Sequence, residues 1–131
     1  PKVVCIPEMG AWLEKKVNDT YGHHAGDRAL RAIAGILKEN IRKSDSFGRW
    51  GGEEFMIAAP GISKEETLAL AEKVRSLIER YVFESAGQIT ISCGISYLIK
   101  DDTLDSLTMR ADDALYRAKN GGRNKIESDN G

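Results

Sequence analysis

Seven consecutive residues concentrate the groups in this chain that could do chemistry: Arg49-Trp50-Gly51-Gly52-Glu53-Glu54-Phe55. Two adjacent carboxylates can hold a hard cation through oxygen, and the glycines before them let a phosphate come against the backbone. The same residues read equally well as a turn and nothing more. A Gly-Gly pair between β-formers (Phe47, Trp50, Phe55, Ile57) is the signal of a two-residue hairpin with positive φ at both central positions. The carboxylates strain that simpler reading, because neighbouring strand residues point to opposite faces and Glu53 and Glu54 cannot both be solvent decoration if one face is packed. A nucleotide and metal site on a hairpin, or a hairpin alone, are the two readings that the local pattern leaves open.

The elements around this stretch must position it. At 131 residues, 41% hydrophobic and 30% charged, the chain is expected to fold as a single domain with a core of its own. Nineteen basic residues against 20 acidic give a net charge of −1, which speaks against a nucleic-acid binder working through a basic field. A phosphate ligand must then be held by a few placed side chains. No apolar run reaches membrane-spanning length and no signal peptide is visible, so no direct membrane contact is expected. Cys5 and Cys93 are expected to be free thiols of a cytoplasmic protein. The first residue is Pro1, and the chain is expected to be a piece of a longer signalling protein.

In order, Lys2-Val3-Val4-Cys5-Ile6 suits a buried strand that Pro7 and Gly10 interrupt. A loop from Lys15 to Asp27 feeds a helix over 27–41, where Leu30, Ile33, Ala34, Leu37 and Ile41 recur at helical spacing. Strands over 46–50 and 54–59 form the hairpin, closed by Pro60-Gly61. Ser63 and Glu66 have capping-box spacing before a second helix striped by Leu70, Ala71, Val74, Leu77 and Ile78. Residues 88–98 alternate as a strand with one solvated or ligand-facing side, with Gly94 marking a bulge or a close backbone approach. A third helix over 104–119 stops at Gly121-Gly122, and 123–126 reads as a last short strand. This order describes an α/β (α+β) layer with an antiparallel pair in its sheet. His23 and His24 lack a further ligand at zinc spacing and read as exposed loop residues.

Four segments together resemble the GGDEF family of diguanylate cyclases. They are Asn18-Asp19-Thr20-Tyr21-Gly22-His23 with Gly26-Asp27, the Gly51-Gly52-Glu53-Glu54-Phe55 stretch, Ile89 to Ser96, and Ala111 to Asn124 with its Lys119-Asn120-Gly121-Gly122-Arg123 end. The resemblance spans about residues 15–126. It implies a palm-like nucleotidyl cyclase fold with a mostly antiparallel sheet flanked by helices, in a protein that joins two GTP into cyclic di-GMP and works as a homodimer. It implies Mg²⁺, or Mn²⁺ in its place. Carried onto this chain, Glu53 is a metal ligand and Glu54 a carboxylate assisting metal binding or deprotonation of the 3′-hydroxyl. Gly51 and Gly52 admit the nucleotide, Asn18 and Asp27 read guanine, and Lys15, Lys119 and Arg123 grip phosphates. Arg42 and Asp45, an Arg-x-x-Asp pair ahead of Gly51, match the site where the product inhibits. By themselves Asn18 and Asp27 are ordinary turn and cap residues, and Lys119 and Arg123 ordinary cations at a helix end.

The resemblance fails at the start. The family's Asp-x-Asp-x-Phe-Lys strand end falls, counting back from Asn18, on Gly10, Trp12 and Glu14, so residues 1–14 are atypical. Glycine offers no side-chain oxygen to a metal, and Glu8 reaches the site only if the segment is looped differently. The alternative is therefore a catalytically degenerate member that binds GTP or cyclic di-GMP as a receptor.

Overall fold

The structure, a computed structural model, describes residues 3–8, 25–51, 54–83 and 87–129, with the side chains of 3–8, 49–51 and 54 outside that description. Five strands make one sheet: β1 (Val3–Glu8), β2 (Ser46–Gly51), β3 (Glu54–Ala58), β4 (Ser92–Tyr97) and β5 (Ile126–Ser128), in the order β2-β3-β1-β4-β5. Among the described residues three helices pack on it: α1 (Ala25–Asn40), α2 (Lys64–Arg80) and α3 (Leu104–Asn120). The pairs β2/β3, β3/β1 and β1/β4 are antiparallel and β4/β5 is parallel, as expected of a mostly antiparallel sheet.

The helices follow from their periodicity. In α1 the stripe Ala29, Leu30, Ile33 and Leu37 is buried, and in α2 Ala71, Val74 and Ile78 are. These meet Ile89, Ile91, Cys93 and Ile95 in one apolar cluster, each large side chain contributing about 1.5–3 kcal/mol by leaving water. The helix expected over 27–41 begins two residues earlier and ends one earlier.

Three expectations about strands are corrected. The first strand does not stop before Pro7. It runs through to Glu8 and lies at the centre of the sheet, with Pro7 opposite Cys93. Residues 88–91 are not strand, and β4 has no solvated face: all six of its residues are buried. The reason is tertiary. Cys93 and Ile95 face the cluster with α1 and α2, while α3 covers the opposite face. There Ser96 Oγ donates to Leu107 O at 2.6 Å. Gly94 is where α3 comes closest, since a Cβ there would stand 2.1 Å from Ala111 O and 2.4 Å from Leu115 N. Of the two roles open to Gly94, the close approach is the one realised. Finally, the last strand begins at Ile126 rather than at Arg123.

The two glycines are also not the pair at the centre of the turn. Arg49 faces Phe55, but after a register shift Gly51, still in β2, faces Glu54. Trp50 is thus an extra residue on β2, a bulge that moves the link between the strands onto Gly52 and Glu53. Those two lie outside the described residues.

Candidate functional site

The register lines up one end of the sheet. Gly51 faces Glu54, Glu54 faces Glu8, and Glu8 faces Ser92, which makes a continuous row across β2, β3, β1 and β4. Three strand spacings of about 4.8 Å put the outer members of that row roughly 14 Å apart. At its end Ser92 Oγ accepts a hydrogen bond of 3.1 Å from the Asn124 N–H, so the turn after α3 joins the same edge. Candidates from the middle and the end of the chain thereby share one end of the sheet, the Gly51 to Glu54 hairpin on one side of the row and the Lys119 to Arg123 turn on the other.

That turn has an unusual backbone. Lys119 lies in the last turn of α3, where a cation complements the helix dipole for ~0.3–1 kcal/mol. Gly121 N–H closes on Arg117 O at 2.8 Å, and Gly122 has φ 115°. Arg123 and Asn124 then both adopt left-handed backbone, φ 62° and 51°. For a non-glycine residue this costs roughly 1–2 kcal/mol. The Arg123 N–H donates to Ala118 O at 3.0 Å, and Lys125 Nζ donates to Gly121 O at 2.6 Å. Arg123 itself is exposed.

Asn124 is the fixed point of this turn. Its Oδ1 accepts from Arg75 Nη1 at 2.7 Å, and its Nδ2 donates to Glu79 Oε2. Arg75 is in turn held by Glu72 and by Glu79 Oε1 at 3.3 Å, and its side chain is only 14% exposed. The hydrogen bond from Asn124 first, and that from Arg75 second, hold the Glu79 carboxyl below the usual range. Arg75 does the same to Glu72. Sequence reasoning missed Arg75, Glu79 and Ser92, whose roles rest on partners 32 to 49 residues away. The single cue was Asn124, since asparagine tolerates left-handed backbone better than most residues.

Asp27 sits in the first turn of α1, paired with Arg31 Nη2 at 3.1 Å and 41% exposed. An exposed pair of this kind is worth little and exchanges readily for another partner. Lys15, Asn18, Gly52 and Glu53 lie outside the described residues, as do Gly10, Trp12 and Glu14, whereas Gly51 and Glu54 are placed by backbone register alone.

Arg42 and Asp45 are elsewhere. Asp45 precedes β2 at the end where Ser46 faces Ala58, and five residues of strand, roughly 17 Å, separate it from Gly51. Arg42 Nε and Nη2 donate to Asp45 Oδ1 at 3.0 and 2.7 Å, and the Arg42 N–H donates to Asp45 Oδ2 at 2.8 Å. Nη2 also reaches Pro60 O at 2.7 Å, anchoring the fork to the chain after β3. The Asp45 side chain is fully covered, while that of Arg42 is 43% exposed. Hydrogen bonding to Asp45 raises the Arg42 pKa further, so the fork is a permanent cation. Nearby, Phe47 stacks on Phe55 with centroids 5.6 Å apart, and Lys38 Nζ sits 5.4 Å over the Phe47 ring. No described helix is long and apolar enough to cross a membrane.

Comparison with known proteins adds an independent finding. The family model for the diguanylate cyclase GGDEF domain matches residues 14–125. The diguanylate cyclase DgcM of Escherichia coli (strain K12) is 41% identical over 112 residues, covering 86% of this chain but only 27% of that protein. Among solved structures, the active GGEEF domain of a diguanylate cyclase from Vibrio cholerae is similar with a TM-score of 0.87 and 31% identity, covering 99% of this chain and 84% of that one. The GGDEF domain of DgcB from Caulobacter crescentus, solved in complex with c-di-GMP, matches with a TM-score of 0.87 and 28% identity over 97% of this chain and 77% of that one. A family match across most of the chain, joined to a sheet end that the glycine hairpin shares with the turn after α3, leads to one conclusion: this chain belongs to the GGDEF domain family of diguanylate cyclases.

Proposed function

We propose that this domain condenses two GTP molecules into cyclic di-GMP. In each half-reaction a ribose 3′-oxygen bonds to the α-phosphorus of the other nucleotide. The bond from that phosphorus to the bridging oxygen breaks, pyrophosphate leaves, and the hydroxyl proton passes to a base. Since the two nucleotides attack each other, two copies of the domain must meet as a homodimer, each presenting one GTP.

The observation that carries the reading is the row Gly51, Glu54, Glu8, Ser92 with Asn124 at its end. It puts carboxylate positions at the middle of a sheet edge and a cationic turn at its flank, which suits a triphosphate lying along that edge. In this reading Gly51 and Gly52 leave room for the nucleotide, and Glu53 and Glu54 supply the metal-binding and proton-accepting carboxylates. Lys15, Lys119 and Arg123 take the phosphates, while Asp27 accepts from the guanine N–H groups and the Asn18 amide donates to the guanine acceptors. Carboxylate oxygens are the donors a hard divalent cation prefers, so the residue set fits Mg²⁺ or Mn²⁺. When bound, such an ion supplies neutralisation of phosphate charge, the main requirement of phosphoryl transfer. Arg42 and Asp45, roughly 17 Å away along the hairpin, serve as a separate site for the product, the arginine fork meeting phosphate or a guanine edge.

The second reading, a module that binds GTP or cyclic di-GMP without turnover, is favoured by Gly10 and Trp12 standing where the family has aspartates. Incubation with GTP and Mg²⁺, followed by chromatographic separation of the nucleotides, decides between them. Cyclic di-GMP should accumulate with wild-type protein and disappear with Glu53→Ala. Its absence at high protein concentration, with GTP binding retained, selects the receptor reading.

A further inference from the structure

We propose that Arg75 and Glu79 are positioning residues for the nucleotide's triphosphate, acting through Asn124 to hold Arg123 in the backbone conformation from which it meets phosphate. The inference rests on the phosphate-binding role of Arg123 given above. Consecutive non-glycine residues in left-handed backbone persist only where their surroundings over-determine them. Here the strain falls beside an exposed arginine that adds nothing to the core, so packing does not account for it.

The surroundings that impose it come from three separate elements. From α2, Arg75 donates to Asn124 Oδ1 at 2.7 Å while Glu79 accepts from Asn124 Nδ2. From β4, Ser92 Oγ accepts from the Asn124 N–H at 3.1 Å, and from α3, Ala118 O accepts from the Arg123 N–H at 3.0 Å. Every hydrogen-bonding atom of the Asn124 amide is thus used by α2. A guanidinium is needed at position 75 because a planar fork engages Glu72, Glu79 and Asn124 together, which the point charge of a lysine does not. Arg123 is the residue immediately before this clamp, so the direction in which it leaves the backbone is set by the clamp. With the clamp released, its left-handed turn relaxes and the cation is no longer held over the sheet edge.

The test measures the affinity of the intact chain for GTP and for GMP, which lacks the β- and γ-phosphates, by calorimetry or ligand-observed NMR. Variants are Arg75→Lys, Asn124→Ala, Arg123→Ala and the Arg123→Ala/Asn124→Ala double, each checked for folding by circular dichroism. The expected result is a loss of about tenfold in GTP affinity for Arg75→Lys and Asn124→Ala, with GMP affinity within about twofold. The double variant should be no weaker than Arg123→Ala alone. A role confined to stability instead lowers GTP and GMP binding together. That outcome, or unchanged GTP affinity in the clamp variants while Arg123→Ala loses it, overturns the proposal and leaves the phosphate role of Arg123 standing. Unchanged GTP affinity in Arg123→Ala sinks the phosphate role itself, and the clamp with it.

Discussion

The two ends of the β2/β3 hairpin are built in opposite ways. At the Arg42 end, the arginine, its aspartate partner and the turn that joins them lie within four consecutive residues, and among the described residues the distant bond is to Pro60 O. At the Gly51 end, the row of β2, β3, β1 and β4 is joined to a turn whose hydrogen bonds run 32, 45 and 49 residues along the chain. A locally built site depends little on distant segments of the chain. One closed by distant segments inherits the stability of every helix and strand it ties together.

The largest effect that can break this contrast is expected at Gly94. A Cβ there meets backbone atoms of α3, Ala111 O at 2.1 Å and Leu115 Cα at 2.8 Å, and backbone cannot swing aside as a side chain can. Gly94→Ala should cost about 3 kcal/mol, the upper end of the usual overpacking range. It should show as a lowered urea midpoint accompanied by loss of GTP binding, because α3 carries the turn into the site. A midpoint within about 0.5 kcal/mol of wild type would mean that α3 is not fixed to β4 as the distances require.

Next in size is Arg42→Ala. The fork loses its charge-assisted bonds, each worth about 1.5–3 kcal/mol to a charged partner. Cyclic di-GMP affinity measured by calorimetry should fall by about tenfold or more. GTP affinity should stay nearly constant, whereas the urea midpoint should fall, because Asp45, whose side chain is fully covered, loses its cation. A matching loss of GTP affinity would erase the distinction between the two ends.

The same contrast explains what could be read in advance. Three helices, the hairpin strands and the Arg42 to Asp45 spacing were legible because each depends on residues a turn or two apart. The solvated face expected of β4 was not, since Ser92 and Ser96 look like surface residues until α3 and the Asn124 turn supply their partners. Pro7 read as a strand end, yet β1 continues to Glu8 between two neighbours that supply pairing on both sides. The bulge at Trp50 shifted the turn by one residue, a register decision taken between strands.

Acid should weaken the pairs that tie α2 to the Asn124 turn and α3 to the segment before it. The carboxyls of Glu72, Glu79 and Asp102 are all held below their ordinary range. Arg75 does this to Glu72, Asn124 and then Arg75 to Glu79, and Arg110, the Ile99 N–H and Ser106 to Asp102. A carboxyl with a depressed native pKa contributes stability that is complete above its unfolded value, about 4, and is lost as pH falls below it. The urea midpoint should therefore drop as pH goes from about 5 to 3. Asp102→Asn, which removes the partner that Arg110 holds at 2.6 Å, should flatten that slope. An unchanged slope would show that these pairs are not what acid breaks.

The smallest effect separates two helix starts. Ser63 and Glu66 have the spacing and residue types of a capping box, and Ser63 Oγ does accept from the Glu66 N–H at 3.1 Å, which is half of that motif. The reciprocal arrangement stands at α3 instead. Thr103 Oγ1 accepts from the Ser106 N–H at 3.1 Å while Ser106 Oγ accepts from the Thr103 N–H at 3.0 Å, with serine in the place where glutamate or glutamine is usual. Ser106 Oγ also donates to Asp102 Oδ1 at 2.7 Å, so this cap is continuous with the Arg110 pair. Thr103→Ala should then cost about 1 kcal/mol and Ser63→Ala somewhat less, both within the normal range for a lost cap. Neither cap touches the Arg42 fork, so cyclic di-GMP affinity should not move in either variant. If Ser63→Ala proves the costlier of the two, the spacing in the sequence was the better guide to α2 than the hydrogen bonds around its first turn.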